Sequence, residues 1–216
     1  MFSPEALEAF RAPERIPKSI GSERLILRQY RTQDAEEFAT LFANSFEGHL
    51  EPWSPPVVLE QTDSGARRAA REHLLAAIDF WEDGRDYRFF ITSRETGEIL
   101  GQIGLTQMIR GVSQSCFIGY WIGKQYVNHG YATEAVVLAM EFAFECLKLH
   151  RISLWIAPGN VASIRVAQKL GLRFEGTAKS ALFLGGEWKD TDIFAMTLEE
   201  WLVRKQELRE RLIPIE

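Results

Sequence analysis

Cysteine is nearly missing from this chain: Cys116 and Cys146 are the only two in 216 residues, with neither CxxC spacing nor a His cluster around them. That argues against a disulfide framework and a metal site of ordinary ligand spacing, and both residues read as buried small apolar groups. Basic excess is missing as well. The formal net charge is -5 and the pI about 5.5, so the basic face that a general nucleic-acid binder uses to displace counterions is not expected. No run approaches the roughly 18 apolar residues that cross a bilayer. The N-terminal "MFSPEALEAFRAPERIPKSI" lacks the charged-then-apolar order of a signal peptide. A cytoplasmic location without membrane attachment is the resulting expectation. Neither GxGxxG nor GxxxxGK[ST] occurs, which disfavours a dinucleotide fold or a P-loop ATPase.

What is present suits one soluble globular domain: 46% hydrophobic and 25% charged residues. Residues 1–21 show no clear periodicity and read as an N-terminal arm, 22–200 as the domain and 201–216 as a charged helical tail. "ERLILRQY" (23–30) alternates with period 2 and reads as a first strand, and Thr32 is placed to cap the helix after it. Segment 44–64 is too rich in Pro, Gly and polar residues for a regular element, and loops of that length inside a domain tend to be functional. A second helix runs from Gly65 to Asp83. Three strands (87–93, 98–108 and 113–122) follow, turning at Gly97 and Gly111 as an antiparallel meander, with Arg110 a solvated turn residue. Helix 133–147 is apolar nearly all round, and strand 151–157 after it implies a parallel crossover. Asn160 caps a helix closing at Gly171, two strands meet at Gly185–Gly186, and a charged helix ends the chain.

"YVNHGYATEA" (126–135) lies at the strand-to-helix junction. Backbone N–H groups at the start of a helix have no partner within it, and the aligned peptides leave about half a positive charge there. Asn128, His129, Gly130, Tyr131, Ala132 and Thr133 are therefore a candidate phosphate site whose chemistry belongs to the backbone.

The order "IGYWI", "GYATEAV", "HRISLWI", "NVASIRVAQKLGLRFEG" resembles the GNAT superfamily of acetyl-CoA-dependent N-acetyltransferases, over residues 22–198. "HLEPWSP", "IRGVSQSCFIGYWIG" and "LGGEWKD" resemble its Rim branch, the ribosomal-protein N-acetyltransferases, and the alanine type more than the serine type. The resemblance implies an α/β (α+β) fold with a mixed, mostly antiparallel central sheet, splayed between two parallel strands and flanked by helices. It implies acetyl-CoA as co-substrate, no metal, and a monomer or homodimer. Gly130 and Ala132 match the family's pyrophosphate loop, whereas Val127 replaces its usual Gln or Arg. Tyr120, Trp121 and Ile122 would offer main-chain groups to the pantetheine arm. Asn160 and Ser163 match the branch's Asn-x-x-Ser, and Ser163 would stabilise or protonate the departing thiolate. Many members place a Tyr where Ala167 stands here, and the serine type a Glu where Leu182 stands. The same Asn-x-x-Ser spacing also suits a plain reciprocal helix cap.

Trp53 and Glu51 are the candidate acceptor-binding residues, and Glu187, Asp190 and Asp192 are further carboxylates that could serve as base. Losing a proton at pH 7 costs about 1 kcal/mol for an α-amino group and roughly 4.5 for a lysine. A chain without an evident base therefore suits the first acceptor, here the N-terminus of a protein such as a ribosomal protein starting with alanine. A small-molecule amine (polyamine, antibiotic or amino-acid-like toxin) and a CoA-binding module without turnover are the alternatives.

Overall fold

The computed structural model describes residues 13, 15–55 and 62–210. Most of the N-terminal arm, the six residues 56–61 within the long loop, and the last six residues of the tail lie outside the described residues. The chain forms β1 (Ser19–Gly21), β2 (Leu25–Gln29), α1 (Ala35–Ser45), α2 (Asp63–Glu82), β3 (Tyr87–Ser93), β4 (Ile99–Ile109), β5 (Ser115–Ile122) and α3 (Tyr131–Glu141). It continues through β6 (Arg151–Ile156), α4 (Val161–Lys169), β7 (Arg173–Leu184), β8 (Glu187–Thr197) and α5 (Leu198–Glu210).

The eight strands make one sheet in the order β1-β2-β3-β4-β5-β6-β8-β7. Every neighbouring pair is antiparallel except β5 and β6, so the expected mixed and mostly antiparallel architecture is present. The parallel pair holds only from Ser115–Arg151 to Phe117–Ser153. Beyond Phe117, β5 stays paired with β4 out to Ile122, while β6 stays paired with β8 out to Ile156. The sheet is continuous at one end of this seam and open at the other.

Strand alternation divides the core between the two faces. Phe89 and Ile91 of β3 join Ile103, Ile118 and the α3 residues Val136 to Met140 in one cluster, all at most 4% exposed. Phe90 turns the other way, to Phe38, Leu41 and Leu74 of α1 and α2. The all-round apolar character of α3 follows from its position: Ala135 to Met140 are sealed on every side. Trp201 and Leu208 of α5 are fully buried in the larger cluster, which ties this helix to the domain core by about 1.5–3 kcal/mol per large side chain. Among the described residues, no helix is long and apolar enough to cross a membrane.

Local details differ from the sequence reading. Thr32 lies inside a single 3-10 turn, Thr32–Asp34, and does not cap α1. Asp34 does the anchoring: its carboxylate accepts from the Arg31 N–H at 3.0 Å and is gripped by Arg28 at 2.7 and 3.0 Å. The described part of segment 44–64, residues 44–55 and 62–64, is more regular than its composition suggests. A wide turn, Phe46–Leu50, reverses at Gly48 (φ 65°), and a 3-10 turn, Glu51–Trp53, carries Pro52 in its first positions, where a missing N–H costs nothing. α2 starts two residues early because Thr62 accepts from the Gly65 N–H at 3.1 Å. α3 likewise starts at Tyr131, and its end widens into a turn, Phe142–Cys146. Arg110 is half-buried, not solvated: it donates to the Leu147 carbonyl at 2.7 Å, a cation at the end of a helical segment. Cys116 is buried as expected, and Cys146 only half so.

Candidate functional site

Where β5 and β6 part, a cleft of about 560 Å³ opens. One wall is the unpaired edge of β5 from Gly119 to Ile122. The floor is the 127–133 loop with the start of α3. The opposite wall is α4, and Trp53 with its neighbours closes the side. Tyr120, Trp121, Ile122, Asn128, Gly130, Tyr131, Ala132, Thr133, Asn160, Ser163 and Trp53 all line this cleft. His129 and Glu51 do not. His129 is exposed and its Nδ1 folds back to the Val127 carbonyl at 2.8 Å, and Glu51 is exposed at the head of its turn.

The loop is shaped by backbone conformations that put the helix N-terminus in reach of a ligand. Asn128 (φ 66°) and Gly130 (φ 79°) are both left-handed, and Gly130 is the N-cap of α3. Behind it, Arg24 donates to the His129 carbonyl at 3.2 Å and lies 5.2 Å from the centre of the Tyr131 ring. Its Nε also meets Glu134 at 2.9 Å, and Ser22 donates to the same carboxylate. Glu134 is 2% exposed in the first turn of α3, so Arg24 cancels a charge that would otherwise repel an anion at that helix end.

At α4 the cap is one-sided. Asn160 Oδ1 accepts from the Ser163 N–H at 3.1 Å, whereas the Asn160 N–H donates to the Ala157 carbonyl at 2.8 Å. The Ser163 hydroxyl is left out of the cap and stands at the cleft wall beside Tyr120. Burial pushes the Tyr120 hydroxyl up to about 12, an effect that Ser163 partly offsets. Among the described residues that hydroxyl still lacks a hydrogen bond of standard geometry. Ala167 is fully buried in the core and offers only a methyl group.

The remaining side of the cleft is closed by Trp53. Its ring edge would lie 3.2 Å from a Cβ at Gly159, so the absent side chain there is what lets the ring settle over the start of α4. Lys189 Nζ sits 5.7 Å from the ring centre. The Gly185 N–H at the β7–β8 turn donates to the Ser54 carbonyl at 2.9 Å, which pins the hairpin to the Trp53 segment. The three hairpin carboxylates are engaged elsewhere. Hydrogen bonds from Lys189 and Lys179 hold Glu187 and Asp190 below the usual carboxylate range, and Asp192 accepts from Thr177 at 2.6 Å. No Asp or Glu is among the described residues that line the cleft.

Several lining residues escaped the sequence reading. His49 bonds the Ile122 carbonyl at 2.9 Å, and no spacing signals that contact. Arg165 and Lys169 of α4 border the cleft too, and their i, i+4 spacing does carry a signal, since it puts both on one helix face.

A GNAT acetyltransferase domain matches residues 24–173. The chain belongs to the GNAT acetyltransferase family. It is 40% identical over 182 residues (84% of this chain, 98% of the relative) to the uncharacterized N-acetyltransferase YnaD of Bacillus subtilis. It is 28% identical over 188 residues (86% and 94%) to the ribosomal protein uS5-alanine N-acetyltransferase of Escherichia coli. Another relative matches over a shorter stretch, 53% of this chain and 64% of its own length. Among solved structures, Mycobacterium smegmatis RimJ in complex with CoA-disulfide superposes with a TM-score of 0.78 at 26% identity, covering 88% of this GNAT chain and 95% of RimJ.

Proposed function

We propose that this acetyltransferase moves the acetyl group of acetyl-CoA directly to the N-terminal α-amino group of a protein, a ribosomal protein beginning with alanine. The observation that carries the reading is a cleft onto which the N-terminus of α3 opens, with no Asp or Glu among the described residues that line it. An acceptor that sheds its proton cheaply, to water, suits such a cleft far better than a lysine does. The likeness to the Escherichia coli uS5-alanine enzyme and to RimJ with its bound CoA-disulfide supports the same class.

The 128–133 backbone would receive the pyrophosphate, and the β5 edge from Gly119 to Ile122 the pantetheine arm. The amine nitrogen attacks the thioester carbonyl, the C–N bond forms, the C–S bond breaks, and the amine proton passes to water. The thiolate leaves toward Ser163, whose hydroxyl hydrogen-bonds it. Asn160 fixes the backbone from which that hydroxyl projects, and Trp53 lies against the acceptor.

A second reading, acetylation of a small amine, is favoured by the bond between Gly185 and Ser54, which narrows the acceptor side. Thiol release measured with acetyl-CoA on Ala-initiated peptides, N-blocked lysine peptides and polyamines tests both. Turnover on the first group alone is the expected result. Turnover on polyamines alone would favour the second reading, and acetyl-CoA binding without turnover would leave a binding module.

A further inference from the structure

Among the described residues the buried Tyr120 hydroxyl has no hydrogen bond of standard geometry, and it stands on the wall of a cleft whose proposed chemistry ends in a negative charge on sulfur. Unsatisfied buried hydroxyls cost stability and are uncommon in native proteins. Ser163 lines the same cleft and acts on that hydroxyl, and in the α4 cap only its backbone N–H is engaged. We infer that Tyr120 is a positioning residue: it donates its hydrogen bond to the Ser163 oxygen, so that the Ser163 proton is aimed at the leaving sulfur. The inference rests on the acetyl-transfer reading above.

The arrangement uses each hydroxyl once. A serine oxygen that accepts from tyrosine is fixed in rotation and polarised, and its O–H becomes the better donor, since bonds in a chain strengthen one another at low dielectric. No proton need leave Tyr120. With its hydroxyl pushed up to about 12 by burial, transfer to a thiolate of ordinary basicity, near 8.5, is unfavourable by roughly three powers of ten. The tyrosine therefore stays protonated through the cycle, and the pair acts as a directed donor on the charge developing at sulfur.

The test uses Tyr120→Phe, Ser163→Ala and the double variant, checked by thermal melting. The expected result is a kcat about tenfold lower for Y120F, with KM for acetyl-CoA changed less than about twofold. The double variant should match S163A, because tyrosine acts only through serine. Multiplying effects, or an unchanged kcat in Y120F, would overturn the inference.

A second measurement needs no acceptor. If the hydroxyl pair favours thiolate, the affinity for free CoA relative to acetyl-CoA rises between pH 7 and 9, by about tenfold for each unit that the bound thiol is depressed. That rise should shrink in Y120F, and the same rise in both proteins would sink the role. Failure of every amine to be acetylated while the rise persists would overturn the acetyl-transfer reading alone.

Discussion

The Arg24 guanidinium holds the buried Glu134 carboxylate from β2's N-terminal side, with Nε 2.9 Å from Oε2, and reaches past it to the His129 carbonyl. One cation thus neutralises the acid in the first turn of α3 and fixes the loop in front of that helix. Arg24→Ala should lower stability by about 2 kcal/mol, because it leaves a buried acid unpaired, and should weaken calorimetric binding of CoA. The double variant Arg24→Met with Glu134→Leu should recover much of the stability without the affinity. Equal melting of the single and double variants would contradict this account.

Gly130 has φ 79° at the start of α3. Gly130→Val forces a β-branched side chain into a left-handed conformation, at a cost of about 1–2 kcal/mol, and puts bulk where a phosphate would approach. CoA affinity should fall by about tenfold or more in calorimetry, and unaltered affinity would remove the phosphate role from this loop.

Ser163→Ala deletes the hydroxyl but keeps the backbone N–H that Asn160 caps. The helix should therefore hold, and the loss should appear in kcat, by about 10–100-fold, and not in acetyl-CoA affinity. Asn160→Ala should show the converse emphasis, with a stability loss of about 1 kcal/mol. Melting curves beside steady-state rates separate the two.

If Trp53 lies against the acceptor, as proposed, Trp53→Ala should raise KM for the acceptor and leave the affinity for CoA nearly unchanged, since its ring rests on Gly159 and beside Lys189, away from the 128–133 loop. Gly159→Val should mimic it by pushing the ring away. Unchanged acceptor KM in both variants would exclude Trp53 from the acceptor site.

Glu175 is held down at about 2, first by its hydrogen bond from Arg151 and then by Arg173. Its folded pKa lies below the ordinary 4.5, so its stabilisation is complete above that pH and is lost as pH falls toward 2. The pair is partly exposed, which limits the contribution to about 1 kcal/mol. Glu175→Gln should be less stable than the parent at pH 7, and the gap in denaturant midpoints should close as pH falls from 4.5 to 2.

Much of the architecture was legible because strand alternation and turn glycines are local signals. Leu25 and Leu27, the turns at Gly97 and Gly111, and Gly130 before an apolar helix all fall where their patterns put them. That the turn before α3 and the Asn160–Ser163 pair both reach the cleft was legible for the same reason, each being a short contiguous stretch. What local pattern could not carry were meetings of distant residues. Arg24 with Glu134, His49 with the Ile122 carbonyl, and Gly185 with Ser54 are each more than 70 residues apart. Thr32 shows the reverse failure: a good capping residue displaced because Asp34, two positions on, has Arg28 across the strand to hold it.

The short pairing of β5 with β6 gives the molecule a mechanical property. Past Phe117 and Ser153 each strand has its full ladder on its outer side, β5 to β4 and β6 to β8, and shares no rungs across the seam. Within the sheet the two halves are therefore joined by only three residue pairs, with the Gly185–Ser54 bond as a second tie at the far side, and the gap between these two ties is the line along which a long, thin molecule would slide in.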